Sequence, residues 1–351
     1  MKKSIIKNII ICVISILVTL LVLVFLNQLF MPKYIDENID GRITPEFYNE
    51  KLPVDVLFVG SSTVHYGISP VVMFNEYGFT SFDRSNSSQT ANMAKYFISE
   101  SFRINKPKLV VYDVSFLRLT PNDKDEPSTR KAVDYMHMSL DKLKLVKNEM
   151  CEDETFYDYI FPLFRYHSRW NDLKTEDYKY VIRKPQVTSN GFLINTEVND
   201  LDFIPEPEYN VAEGTKLDDG SVEILNNIIK LCKDNDVDLM LIRVPTNNNN
   251  WGNSYDEQLT SIAEQNNISY TNFTKDINEI GIDFCTDSFD EGMHLNNAGA
   301  EKFSKYLGNI IKNNYELTDR RNDEKFVTVW DKKTEWYENA KANQKENKEI
   351  K

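Results

Sequence analysis

Cysteine and basic charge are both scarce in this chain, and each scarcity removes a class of function. Of the four cysteines, Cys12 lies in an apolar N-terminal run, and Cys151, Cys232 and Cys285 are widely spaced with no CxxC pair. That pattern excludes a metal site of zinc-finger type and leaves room for one disulfide at most. Lys and Arg number 41 against 54 Asp and Glu, for a net charge of −13. The first 33 residues hold four lysines and no acid, so residues 34–351 carry −17. An acidic body without a basic stripe repels phosphate backbones, which argues against nucleic acid as a partner. Internal repeats and a domain-separating linker are absent too.

One long apolar run is present. Ile9 to Phe30 is interrupted only by Ser15, Thr19, Asn27 and Gln28. At ~1.5 Å per residue a helix of that length matches a hydrocarbon core of about 30 Å. Three lysines precede the run and the acidic body follows it, so residues 1–8 are expected in the cytoplasm and the body outside. A cleaved signal peptide is the competing reading, but the run exceeds a usual signal core and no small-x-small site follows Phe30. The polar residues 31–51 then read as a stalk.

The body is organised around Val54-Asp55-Val56-Leu57-Phe58-Val59-Gly60-Ser61-Ser62. This nearly continuous apolar run reads as a strand buried on both faces of a parallel sheet. Side chains at the carboxyl end of such a strand reach the crevice where open α/β sheets place ligands. A serine leaving through a glycine turn is placed for nucleophilic use, although a serine there also suits a helix cap. Pro70 and Gly78 bracket a helix. Thr80-Ser81-Phe82 is a weak second strand, Ala91 to Asn105 a helix, and Lys108 to Asp113 a third strand. After an insertion at about 114–220 the alternation resumes: helix Val222–Cys232, strand Val237–Pro245, helix Tyr255–Gln265, strand Ile268–Phe273 and a final helix to about Asn313. Residues 316–351 read as a charged tail with Trp330, Trp336 and Tyr337 as its apolar anchors and its last dozen residues disordered.

Within the insertion, Phe156 to Tyr180 is dense in aromatics, including Phe161-Pro162-Leu163-Phe164-Arg165-Tyr166-His167-Ser168-Arg169-Trp170. Two readings stand: a satellite core, or an acceptor-binding platform using Arg165, His167 and Trp170.

Far downstream, Asp290-Glu291-Gly292-Met293-His294 precedes a helix that Asn296 or Asn297 can cap. A serine nucleophile needs a base within hydrogen-bond reach and an acid to orient that base. Ser62, His294 and an acid just before it supply all three, in the order Ser, Asp, His.

These two ends resemble the SGNH/GDSL hydrolases. Gly60-Ser61-Ser62 is similar to the family's Gly-Asp-Ser block, which puts the nucleophile at Ser62. Asp290 to Asn296 resembles the block that holds acid and base. The usual spacing falls on Glu291, whereas similar surface-protein members place the acid four before the histidine, at Asp290. Asp290 is favoured and Glu291 stays open. The family's oxyanion glycine aligns near Ser85, so the amides of Ser62 and Ser85 are the expected oxyanion donors. Its Gly-x-Asn-Asp block is missing where Asp113-Val114-Ser115 stands, which removes a donor of the kind that contributes about 2.7–4 kcal/mol in the transition state. A membrane-anchored subset shares these departures: the teichoic-acid D-alanyl transfer and alginate O-acetylation proteins.

The resemblance, covering about residues 52–313, implies a flavodoxin-like three-layer α/β/α sandwich with five parallel strands. It implies acyl transfer or ester hydrolysis on a cell-surface glycan or polymer, with no metal or organic cofactor. A multi-spanning membrane O-acyltransferase is the implied protein partner. The rival expectations are a catalytically weak glycan-binding or scaffolding protein, and a plain surface esterase or lipase.

An uncleaved anchor has a direct check. Intact mass of the membrane-extracted protein should retain residues 1–30, and protease added to whole cells should digest the body. A mature chain beginning after Phe30 would defeat the expectation.

Overall fold

A computed structural model describes residues 2–33, 39–182, 189–199, 201–205 and 210–349. The fold is α/β. Five strands, β1 (Val56–Val59), β2 (Ser81–Asp83), β3 (Leu109–Asp113), β4 (Asp238–Arg243) and β5 (Ser269–Asn272), form one parallel sheet in the order 2-1-3-4-5. The order reverses around β1, which places the carboxyl ends of β1 and β3 side by side at the switch point.

The apolar runs of β1, β3 and β4 are explained by burial on both faces. Val56, Phe58, Val111, Met240 and Ile242 face one helical layer, where they meet Val64, Met73, Phe303 and Leu307. Leu57, Val59, Val110, Tyr112, Leu239 and Leu241 face the other, with Ala94, Ile98, Leu225, Ile228 and Leu259. Each such aliphatic or Phe side chain contributes roughly 1.5–3 kcal/mol when fully buried. The helices that supply those partners begin where their sequence signals stand. Following the apolar α1 (Lys2–Phe30) come α2 (Ile43–Asn49), α3 (Ser62–Gly67) and α4 (Pro70–Tyr77). In α4 the Ser69 hydroxyl accepts from the Val72 amide, Pro70 takes the first turn, and Gly78 closes it at φ 78°. Then α5 (Ala91–Ile104) is capped by Thr90.

Among the described residues the insertion forms short helices, α6 (Glu126–Val133), α7 (Leu140–Glu149), α8 (Phe156–Ile160), α9 (Pro162–Tyr166) and α10 (Thr175–Ile182), with 3₁₀ turns at Val114–Arg118 and His167–Asn171. Ala132, Val133, Leu145, Val146 and Tyr159 pack on Met93 and Phe97 of α5, so a satellite core does form. The chain re-enters the main layers through α11 (Asp219–Asp234), α12 (Asn253–Asn266), the short α13 (Ile277–Ile280) and α14 (Phe284–Asp287), and α15 (Asn297–Asn314).

Two expectations need correction. The proposed stalk is in part body: Ile43 and Phe47 of α2 are buried in the main core beside Phe82. Its residues 34–38 lie outside the described residues. The charged tail is also body. It forms α16 (Glu324–Glu349), which includes residues 340–349 expected to be disordered. Arg320 grips Asp55 with two hydrogen bonds of 2.7 and 2.9 Å, and Trp330 stacks on Phe74 at 4.5 Å. Phe326, Trp330, Lys333, Tyr337 and Lys341 make one stripe along α16, and its lysines bond Glu50 and Glu301. Lysine heads in the docking stripe disguise its periodicity.

If α16 belongs to the fold, Trp330→Ala should cost about 3–5 kcal/mol of unfolding free energy, as large buried aromatics do. Denaturant titration of the full chain measures this. A loss below about 0.5 kcal/mol, ordinary for a surface position, would return α16 to the status of a tail.

Candidate active site

Gly60 leaves β1 beneath the third strand. A β-carbon there would meet Val64 Cγ2 at 2.5 Å and Asp113 Cβ at 2.7 Å, so only glycine lets the chain pass this close. Ser61 then occupies the N-cap of α3 in an extended conformation, buried, with no side-chain cap bond. Ser62 is the first helical residue, and its hydroxyl points to the base. Ser62 Oγ lies 2.7 Å from His294 Nε2. His294 Nδ1 lies 2.5 Å from Asp290 Oδ2, and the backbone N–H of His294 donates to Asp290 Oδ1 at 2.7 Å. With Nδ1–H donating to Asp290, Nε2 is free to accept from Ser62. The structure thus joins Ser62, His294 and Asp290 in one unbroken chain.

A tight turn aims the acid and the base. Met293 N–H donates to Asp290 O at 3.1 Å across Glu291 and Gly292, whose φ values are 59° and 87°. Two consecutive positive φ values suit glycine and strain glutamate. Glu291 is exposed, with its amide bound to Asn199 Oδ1 at 2.7 Å. It is Asp290, not Glu291, that reaches the imidazole. The loop is closed below by a bridge between Ser288 and Leu295, and Asn296 caps α15 by accepting from the Ala298 and Gly299 amides. Phe289 stacks on the His294 ring at 5.6 Å and 8°, while Tyr66 meets the same ring edge-on at 5.6 Å. Sequence reasoning missed both aromatics, although Phe289 adjoins Asp290.

Asn199 was missed as well. Its Nδ2 donates to Phe284 O and Ser288 O at 3.1 Å and to Ser288 Oγ at 2.5 Å. It belongs to a strap, residues 189–199, that runs over the carboxyl side of the sheet. Leu193 N–H donates to His65 O at 2.7 Å on the serine helix, and Asn297 N–H donates to Asn195 O at 2.6 Å at the head of α15. The strap ties the serine and histidine sides together.

Ser85 sits just past β2, buried, and its hydroxyl is 2.9 Å from His65 Nδ1. Burial pushes the His65 pKa down to about 3, against an opposing pull from Asp40. His65 is therefore a neutral linker between α3 and the β2 loop. Asp113, at the end of β3, accepts from Thr63 Oγ1 and from Ser115 Oγ, each at 2.6 Å. Burial raises its pKa, and those two donors oppose the rise.

A cavity of about 310 Å³ opens beside Ser62 and His294. Its far wall comprises Ser115, Phe116 and Arg118 after β3, with Arg243 at the end of β4 and Thr246, Asn248, Asn250 and Trp251 beyond it. Arg243 is fixed: it donates to Thr274 Oγ1 at 2.7 Å and Asn248 O at 3.0 Å, and lies 5.0 Å over the Trp251 ring. Its hydroxyls, amides and two guanidinium groups are set among the apolar surfaces of Phe116, Trp251 and Met293. Arg165, His167 and Trp170 do not line it. They lie on α9 and the following 3₁₀ turn, beside the end of α1.

No family model, curated protein or solved structure matches this chain.

If the strap holds the loop, Asn199→Ala should cost about 1–3 kcal/mol, because it strands several partly buried partners. Hydrogen exchange should speed up at the Glu291 and Gly292 amides while β1 and β3 keep their protection. Unchanged exchange at those two amides would show that the loop holds itself.

Proposed function

We propose that the chain is a membrane-anchored serine acyltransferase or esterase acting on O-acyl groups, acetyl foremost, of a cell-surface polysaccharide or teichoic-type polymer. The observation that carries this reading is the hydrogen-bond chain from Ser62 Oγ through His294 to Asp290. The strand order 2-1-3-4-5 is that of flavodoxin-like sheets and agrees with the SGNH/GDSL resemblance. The hydroxyl, amide and guanidinium groups of the adjoining cavity can engage a hydroxyl-bearing acceptor, while Phe116, Trp251 and Met293 give it apolar surface for an acyl group.

In the first half-reaction Ser62 Oγ attacks the acyl carbonyl as His294 Nε2 takes its proton. The bond from the carbonyl carbon to the donor alcohol breaks, and His294 returns the proton to the departing oxygen. An acceptor hydroxyl, or water, then gives its proton to His294 and attacks acyl-Ser62, and Ser62 recovers a proton as its ester breaks. Asp290 holds Nδ1–H and stabilises the transient imidazolium. The Ser62 amide, beside the cavity and with no acceptor among the described residues, is the oxyanion donor, and the amide of buried Ser85, which does not line the cavity, is assigned as its partner from the resemblance alone.

One observation favours a second reading, a catalytically weak scaffold or glycan-binding partner of a multi-spanning O-acyltransferase. No asparagine follows β3, and the Ser115 hydroxyl in that place is committed to Asp113.

Intact mass and turnover separate the two. A serine-directed fluorophosphonate should label the wild type once and Ser62→Ala not at all. Ser62→Ala and His294→Ala should each lose on the order of 10³-fold or more in turnover, with the double variant little worse, because the groups act as a unit. Asp290→Ala should be milder. Label retained in Ser62→Ala but lost in Ser61→Ala would identify the wrong serine. An unlabelled wild type would favour the scaffold.

A further inference from the structure

The aromatic segment of the insertion is split between inside and outside, and the outside half is concentrated at one place. Tyr157, Phe161, Phe164, Trp170 and Tyr178 are each 53 to 67 % exposed. Among the described residues no other Trp or Tyr is exposed in this way, and Phe25 and Phe203 are the remaining exposed Phe. The five sit along α8, α9, the 3₁₀ turn and α10. Of these elements, α9, the 3₁₀ turn and α10 contact α1.

The height of that contact is set by α1 itself. Its side chains are exposed from Ser4 through Phe25, and burial begins at Leu26. From Ser4 to Phe25 a helix rises about 32 Å at ~1.5 Å per residue, close to a hydrocarbon core of about 30 Å. The insertion engages the next turn: Leu163 N–H donates to Asn27 Oδ1 at 2.9 Å, and Arg169 donates to Phe30 O. Those residues stand ~3–8 Å beyond Phe25, within the interfacial layer of about 5–7 Å that borders the core.

Trp and Tyr favour this layer, where an apolar ring and a polar edge are both satisfied. Exposed aromatics grouped at that height are unfavourable in water and favourable at the acyl–headgroup boundary. We propose that the outer face of α8–α10 is a lipid-interface platform, which seats the insertion in the membrane surface around the foot of α1. This assigns Trp170 and its neighbours to lipid rather than to a glycan acceptor. It rests on the membrane-anchor part of the proposed function and not on its chemistry.

The test uses the full chain in vesicles of phosphatidylcholine and phosphatidylglycerol carrying nitroxide-labelled lipid. Of the four tryptophans, Trp251 and Trp330 are buried and Trp336 is partly buried in α16, which leaves Trp170 as the exposed reporter. A nitroxide near the headgroups should quench the share of emission belonging to Trp170, and one near the chain termini should quench less. Trp170→Phe should abolish the headgroup-level quenching while keeping the wild-type melting temperature and fluorophosphonate labelling. Equal quenching in wild type and Trp170→Phe, in chains that resist alkaline carbonate extraction, would overturn the platform while sparing the anchor. Extraction of the chain by carbonate would overturn both, and labelling at Ser62 would still report separately on the chemistry.

Discussion

The hydrogen bond between Ser62 and His294 joins residues 232 positions apart, and much of the fold serves to hold its two ends at 2.7 Å. A side-chain contact of that kind contributes little free energy by itself. Its geometry must therefore come from rigid elements on either side. On the serine side these are a strand packed on both faces and a glycine pressed against Asp113. On the histidine side they are a left-handed turn, a capped helix and two aromatic rings against the imidazole. The strap at 189–199 spans the gap with backbone hydrogen bonds to both sides.

Electrostatically the two sides differ. His294 and Asp290 keep partial exposure, with side chains 23 and 35 % accessible, whereas His65 and Ser85 beneath them are sealed. A buried neutral imidazole gives the serine helix a rigid polar tie to Ser85. Among the described residues, the cavity next to Ser62 is lined by Arg118 and Arg243 and by no carboxylate.

Much of this could be read from the sequence, for physical reasons. Strands β1, β3 and β4 carry continuous apolar runs because both their faces are buried, and Pro70 and Gly78 mark α4 through fixed backbone preferences. Ser62, Asp290 and His294 stood out because each sits in a short stretch whose chemistry is local. What escaped is what depends on distant partners. Ile43 and Phe47 look like isolated apolar residues in a polar segment until Phe82 is placed against them. The docking stripe of α16 alternates aromatic rings with lysines, which hides its period. Asn199 has no local signature at all, since every partner it bonds is at least 85 residues away.

The 232 positions that separate His294 from Ser62 have a consequence for biosynthesis. Translation delivers Ser62 and the first three strands early, and domains generally fold in the order they emerge. His294, its helix α15 and the α16 stripe that backs the strap arrive after all five strands. A nascent or prematurely terminated chain therefore presents Ser62 without His294. The contact between Ser62 and His294 forms only when these later segments close the long loops, a slow class of event because loop-closure entropy precedes the contacts that reward it.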